Sequence, residues 1–275
     1  MKKLVILINL FVLVQFFAFT QVPDTQIGGK VVYSGEDVIF HKIDEHTWVG
    51  TGHLAFNESL YLVEGDSITV LIDAGTKIRD LDKIIASLTN KPVMLVATHV
   101  HPDHVGSIDY FPELYINPAD TVNIPQFMPD YKGELKFLQD GQIIDLGGRQ
   151  LEVVFTPAHT PGSATFIDKK AHYGFSGDAF GSGNLLLFTN FSTLIATCEK
   201  MSKIMAEHGI DLLYPGHYFG ANPETKQRVD DILTLSKGVL SGKLKGEENS
   251  NGMLGLNLII SGYGVRINYN ETAVK

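Results

Sequence analysis

Residues 98–104 read Thr-His-Val-His-Pro-Asp-His, which sets three imidazoles and a carboxylate close together in the chain. His99 and His101 stand two apart, so an extended backbone sends both side chains to one side. Pro102 turns the chain, and Asp103 and His104 follow where a helix from Val105 would begin. Imidazole with carboxylate is a donor set for zinc, and iron or manganese also suits it. Three further potential ligands stand far apart in the chain: His159, Asp178 and His217. Five ring nitrogens and two carboxylates are too many for one tetrahedral ion. They suit two ions with one carboxylate shared between them. His41, His46, His172 and His208 have no such company and read as ordinary surface or core histidines.

Each of these groups follows an apolar run that reads as a strand. The run 93–97 leads into the His-rich segment, and 151–155 leads into Thr156-Pro157-Ala158-His159. The run 173–175 leads into Ser176-Gly177-Asp178, and 212–214 into Pro215-Gly216-His217. A strand buries its apolar length and hands its last residues to a loop. In α/β sheets, ligands gather at the carboxyl ends of strands. If the four strands are neighbours, all seven side chains converge. Earlier β-type runs occupy 30–33, 47–49, 59–63 and 68–72, with Gly65-Asp66 as a hairpin turn. Leu81, Ile84, Ile85 and Leu88 have helical spacing within 79–88. A second helix is expected over 192–207 with Ser192 as its N-cap, and a third over 223–240. The stretch 256–269 alternates like one or two late strands. This order of elements describes a layered α/β protein.

Composition bounds the function. The chain has 275 residues, 44% hydrophobic and 19% charged, which is a globular composition. Its net charge of −9, without a basic run, argues against nucleic acid as a partner. A single cysteine, Cys198, excludes an intrachain disulfide and any multi-cysteine metal site. Its apolar spacing with Leu194, Ile195, Met201 and Ile204 places it in the core. At the N-terminus, Lys2 and Lys3 precede an apolar run over 4–19, the pattern of a secretory signal peptide cleaved after Thr20. The run is shorter than the ~20 residues that a bilayer-spanning helix needs. No membrane anchor is therefore expected after cleavage, and the protein is expected to be exported, periplasmic or secreted. Losing 1–20 removes two lysines and no acid, which takes the charge from −9 to −11. Residues 21–275 read as a single domain, because no linker, charge block or short-period repeat divides them.

The string Thr-His-Val-His-Pro-Asp-His, with Pro-Ala-His at 157–159, Ser-Gly-Asp-Ala at 176–179 and Pro-Gly-His at 215–217, resembles the metallo-β-lactamase-fold hydrolases. The segment 61–76 resembles their opening strands, and the resemblance runs from about residue 47 to about 222. It implies an αββα sandwich with a dinuclear site at one edge. It implies one zinc ion on His99, His101 and His159, and a second on Asp103, His104 and His217. Asp178 would bridge them, and Asp73 would lie behind the ligands. Two dications make hydroxide available near neutral pH for attack on a carbonyl carbon. The carbonyl oxygen is then stabilised electrostatically. Asp103 and Asp178 are the expected catalytic carboxylates, Asp103 by guiding a proton.

The resemblance leaves the small-molecule substrate open among ester, lactone, thioester and amide. Branches with a cysteine ligand are disfavoured by Asp178, although β-lactams stay as an alternative. The complete ligand set is similar to that of the hydroxyacylglutathione thioesterases and acyl-homoserine lactonases. The helical substrate domain of the former has no counterpart in the stretch after His217. An iron-dependent persulfide dioxygenase-like oxidoreductase is the alternative from another class. A binding protein that has lost catalysis is the third, and the full set of ligand positions speaks against it. Three stretches should shape the pocket. The segment 51–57 brings His53 toward the metals. Within 180–191, Leu185-Leu186-Leu187-Phe188 forms a pocket lip or a buried helix. Tyr218 and Phe219 follow His217, with the Tyr218 phenol near the reacting group. Gly177 would let backbone approach the metals, whereas Gly181 and Gly183 of the Gly181-Ser182-Gly183 loop read first as a plain turn. The oligomeric state has no signature.

Overall fold

The computed structural model describes residues 27–275 apart from Phe56 and Met253. The segment expected to be a signal peptide lies outside the described residues. Eight strands form the first sheet in chain order: β1 Val31–Ser34, β2 Val38–Asp44, β3 Thr47–Gly52, β4 Ser59–Glu64, β5 Thr69–Ile72, β6 Val93–Val96, β7 Glu113–Ile116 and β8 Glu134–Phe137. The first five run as an antiparallel meander. From β5 to β8 the neighbours are parallel, so each connection must cross over the sheet. Helix α1, Leu81–Leu88, is the first such crossover, and α2, Ile124–Phe127, lies in the last.

The second sheet contains β9 Ile143–Asp145, β10 Gln150–Phe155, β11 Ala164–Asp168, β12 Tyr173–Gly177, β14 Leu212–Pro215 and β15 Glu224–Thr225. A third, small sheet joins β13 Asn184–Leu186 to β16 Glu247–Glu248, β17 Leu258–Gly262 and β18 Val265–Tyr269. The long helices are α3, Phe191–His208, and α4, Lys226–Leu240.

Period-two alternation explains the layering. Tyr61, Val63, Val70 and Ile72 of the first sheet meet Leu151, Val153, Phe166 and Phe175 of the second in one buried layer. Their chain neighbours Leu60, Leu62 and Leu71 point the other way and pack on Leu81, Ile84 and Ile85 of α1. Val154 and Ile167 leave the opposite face of the second sheet and meet Leu194, Cys198, Met201 and Met205 of α3 and Val229 and Ile232 of α4. Helix, sheet, sheet, helix is the αββα order. Each fully buried side chain the size of Phe166 contributes on the order of 2–3 kcal/mol.

Several expectations shift. The third helix begins at Lys226 because Glu224 and Thr225 pair with Leu213 and Leu212, and the Thr225 side chain then caps it. Asn190, not Ser192, is the N-cap of α3: its Oδ1 accepts the Thr193 N–H at 2.9 Å, while the Ser192 hydroxyl turns to the Lys275 carbonyl. The run Leu185–Phe188 is extended rather than helical. The strands that deliver ligands are not all neighbours. β6 lies in the first sheet, and β11 separates β10 from β12. Convergence is achieved across the two facing sheets instead. The antiparallel pairs β10–β11 and β11–β12 and the parallel pair β12–β14 put the carboxyl ends of β10, β12 and β14 at one edge.

Candidate metal centre

At that edge the loops after β6, β10, β12 and β14 bring the seven expected side chains together. They form three overlapping groups of possible ligand atoms: His99 with His101 and His159, His99 with His104 and Asp178, and Asp103 with His104 and His217. Nε2 of His99 and of His159 lie 3.1 and 2.9 Å from Nδ1 of His101. Asp178 Oδ2 is 3.7 Å from His159 Nε2, 3.8 Å from His104 Nε2 and 3.4 Å from His217 Nε2. Asp103 Oδ2 is 3.5 Å from His217 Nε2 and 3.8 Å from His104 Nε2. Ligands about 2.0–2.1 Å from a tetrahedral ion stand roughly 3.4 Å from one another. The spacing therefore fits donors around cations, with Asp178 between the two groups.

Partners behind the rings aim the donor atoms. Asp73 Oδ2 accepts from His104 Nδ1 at 2.8 Å and from the Thr98 hydroxyl at 2.8 Å, while its Oδ1 accepts the Thr98 N–H at 2.7 Å. A carboxylate can only accept, so His104 carries its proton on Nδ1 and turns Nε2 inward. The Thr98 oxygen lies 3.2 Å from His99 Nδ1, which extends the same relay to that ring. His159 Nδ1 donates to the Leu186 carbonyl at 2.7 Å. His99 and His159 thus present Nε2 lone pairs to one point, together with His101 Nδ1. A single ring proton can serve only one of the two contacts, whereas a cation serves all three nitrogens.

Two atoms test the fit to metal directly. Among the described residues, His104 Nε2 and Asp178 Oδ1 are buried and have no hydrogen-bond partner. Buried polar atoms are seldom left so, and a cation in the cluster would satisfy both. Gly216 lets this crowding occur, since a Cβ there would stand 2.2 Å from Asp178 Oδ1. Gly177, at φ 51°, fits closely against Thr98, where a Cβ would meet the hydroxyl at 2.3 Å.

The electrostatics divide the cluster. Burial, reinforced by neighbouring imidazoles, holds His99 well below its usual range and His101 at about 3. Burial also lowers His159. These three rings are neutral, as metal ligands must be. For His104 and His217 burial opposes the charge, but carboxylates outweigh it. Asp73, Asp103 and Asp178 push His104 well up, and Asp178 and Asp103 raise His217 to about 9. Burial works against the Asp178 charge as well, and His217 and His104 still hold its carboxyl well below the usual range.

A recess of about 440 Å³ opens beside the cluster, lined by His101, Asp103, His159, Asp178 and His217 among others. Two expected pocket residues are absent from its wall. His53 Nδ1 is bonded to the Glu36 carbonyl at 2.7 Å, and Ala55 represents that segment instead. The Tyr218 phenol donates to the Gly220 carbonyl at 3.0 Å and packs edge-on against Tyr214, while Phe219 lines the recess. The stretch Leu185–Phe188 fills both of its expected roles by alternation: Leu185 and Leu187 are in the core, and Leu186 and Phe188 are on the recess wall.

Three buried carboxylates that support the site carry no motif. Asp120 accepts the Val100 N–H, between two candidate ligands, and the Gly162 N–H beyond His159. Glu58 accepts from the N–H groups of Thr76 and Ala55, both on the recess wall. Glu224 accepts the Ser182 N–H at 2.7 Å, and the Ser182 hydroxyl accepts the His217 N–H at 3.3 Å. Asn117-Pro118 ahead of Asp120 signals a turn, but nothing in the chain marks its carboxylate as a brace.

Residues 54–217 match the family model of the metallo-beta-lactamase superfamily. The human acyl-coenzyme A thioesterase MBLAC2 is 28% identical over 207 residues, covering 59% of this chain and 74% of that protein. The probable metallo-hydrolase YqgX of Bacillus subtilis is 26% identical over 195 residues, covering 63% of this chain and 87% of that protein. Among solved structures, a metallo beta lactamase from Erythrobacter litoralis aligns with a TM-score of 0.57 at 19% identity, over 76% of this chain and 99% of that chain. A metallo-beta-lactamase family protein from Thermus thermophilus aligns with a TM-score of 0.56 at 18% identity, over 73% of this chain and 82% of that chain. These two likenesses concern the fold.

Proposed function

Because the chain belongs to the metallo-beta-lactamase superfamily and is a metal-dependent hydrolase, we propose that it cleaves a carbonyl-centred bond in a small molecule at a dinuclear zinc site. The substrate is an ester, lactone, thioester or amide. One observation carries the reading. Asp178 Oδ2 lies within 3.8 Å of ring nitrogens from both candidate groups, the position of a carboxylate shared by two ions. His99, His101 and His159 would hold one ion, and Asp103, His104 and His217 the other. Bound there, two dications supply an ionised water near neutral pH and a Lewis acid for the carbonyl oxygen.

The protein's own groups do the remaining work. Asp73 and the Leu186 carbonyl fix the tautomers of His104 and His159. Asp103 stands on the recess wall with a carboxylate oxygen toward His217, where it can accept a proton from the nucleophile and return it to the leaving group. The human relative is named a thioesterase, which favours thioesters within the proposed class. The 1–20 segment supports a reading of export to the periplasm or beyond.

A panel of lactone, aryl ester, thioester and β-lactam, each with and without chelator, tests the reading. Chelator-sensitive turnover of one class by protein holding two zinc ions per chain is the expected result. Purification with a single iron and no hydrolysis would overturn it in favour of oxygen chemistry on a persulfide.

A further inference from the structure

The recess beside the candidate ligands has an apolar wall. Phe127, Leu186, Phe188, Phe219 and Leu254 line it, and no Lys or Arg stands among its described lining residues. The Phe127 and Phe188 rings lie edge-on to His101, with centroids 5.1 and 5.7 Å away. Leu186 and Phe188 are the two positions of their extended segment that the core does not take. Nothing in the packing of that segment requires large apolar groups there, since their alternates Leu185 and Leu187 already supply the core contact.

Leu254 also lines the recess. It comes from the loop between β16 and β17, is 71% exposed, and still reaches the recess. Its φ of 54° lies in the left-handed region that leucine seldom adopts, a strain that collects at ligand-binding positions. Phe219 and Leu254 both lie beyond residues 54–217, which match the family model. This part of the wall therefore belongs to the chain's own C-terminal segment. An exposed leucine over an apolar recess gains burial only when an apolar group enters beneath it.

Resting on the hydrolase reading above, we propose that the substrate carries an uncharged, apolar acyl chain seated in this recess, and that Leu254 determines specificity by closing over it. Against the wall of Phe127, Phe188, Phe219 and Leu254, a carboxylate, phosphate or sulfate at the end of that chain would lose its hydration and meet no Lys or Arg among the described lining residues. Each methylene taken from water should raise kcat/KM by about fourfold until the recess is full.

The test uses the zinc-loaded protein with p-nitrophenyl esters from acetate to decanoate and with the glutarate monoester. The expected result is a rising series, a glutarate ester at least tenfold slower than the hexanoate, and a decanoate-to-acetate ratio at least tenfold lower in Leu254→Asp and Leu254→Ser. Both substitutions are at an exposed position, so the fold should tolerate them. A flat series, an equally good glutarate ester, or an unchanged ratio in both variants would overturn the inference. If no ester is cleaved, calorimetric titration with decanoate and glutarate separates the two readings. Decanoate binding that weakens at least tenfold in Leu254→Asp upholds the recess and removes only the ester from the proposed substrate classes. Absent or Leu254-independent binding overturns the recess as well.

Discussion

Asp73 and His104 form a fully buried contact, Oδ2 to Nδ1 at 2.8 Å, with neither side chain more than 1% exposed. Asp73 sits at φ 64°, a conformation that Asp and Asn tolerate better than most residues. Asp73→Asn therefore keeps the backbone but replaces one accepting oxygen with an NH₂ group. That donor must face either His104 Nδ1 or the Thr98 N–H, and one buried hydrogen bond is lost. The expected outcome is a 10–100-fold loss of affinity for one metal ion per chain, read by metal titration. Affinity equal to the wild type would remove the orienting role of Asp73.

Asp178 touches both halves of the cluster, so its loss should affect both. Asp178→Ala is expected to lower turnover by at least about 100-fold. The fold should persist, because the three apolar layers do not depend on this carboxylate. Far-UV circular dichroism with measured zinc content distinguishes the cases. Near-normal turnover in the variant would refute the shared-carboxylate assignment.

The candidate ligands are legible in the chain because few residue types can hold a metal and each stands just past an apolar run. His99, His101, His104, His159, Asp178 and His217 all arrive at one edge for that reason. The sheet partition was not legible. Val93–Val96 and Leu212–Pro215 are both short apolar runs, and nothing local assigns them to different sheets. Supporting carboxylates such as Asp120 look in sequence like surface acids, since burial is a property of the folded chain. The fate of Tyr218 turned on one local alternative, its hydrogen bond to Gly220, which no spacing rule reveals.

Asp120 joins two ligand loops that are distant in sequence. It is fully buried and takes the N–H groups of Val100 and Gly162 as well as the Asn123 amide. Asp120→Ala leaves two backbone donors without a partner, at about 1–3 kcal/mol each. A destabilisation of roughly 3 kcal/mol lowers Tm by about 6–12 °C in a chain of this size. Thermal unfolding of metal-free protein checks this, and a shift under 2 °C would contradict the brace.

Glu224, joined to His217 through Ser182, offers a pH test at a group that is not itself a candidate ligand. It is fully buried, and burial raises its carboxyl to about 8 despite the Arg228 guanidinium 2.7 Å away. The folded state therefore holds a proton that the unfolded chain releases near 4.5. Where the folded state binds more protons, stability falls as pH rises. This group's contribution is complete below about pH 4.5 and is lost progressively up to about pH 8, after which it is flat. Glu224→Gln stays neutral throughout, keeps an acceptor for the Ser182 N–H, and lacks that slope. Relative to the wild type, the variant should gain stability between pH 5 and pH 8.5, on the order of a few kcal/mol. Denaturant unfolding of the metal-free proteins at both pH values measures the difference. A stability difference independent of pH would show that Glu224 is ionised throughout, held by Arg228 as a permanent ion pair.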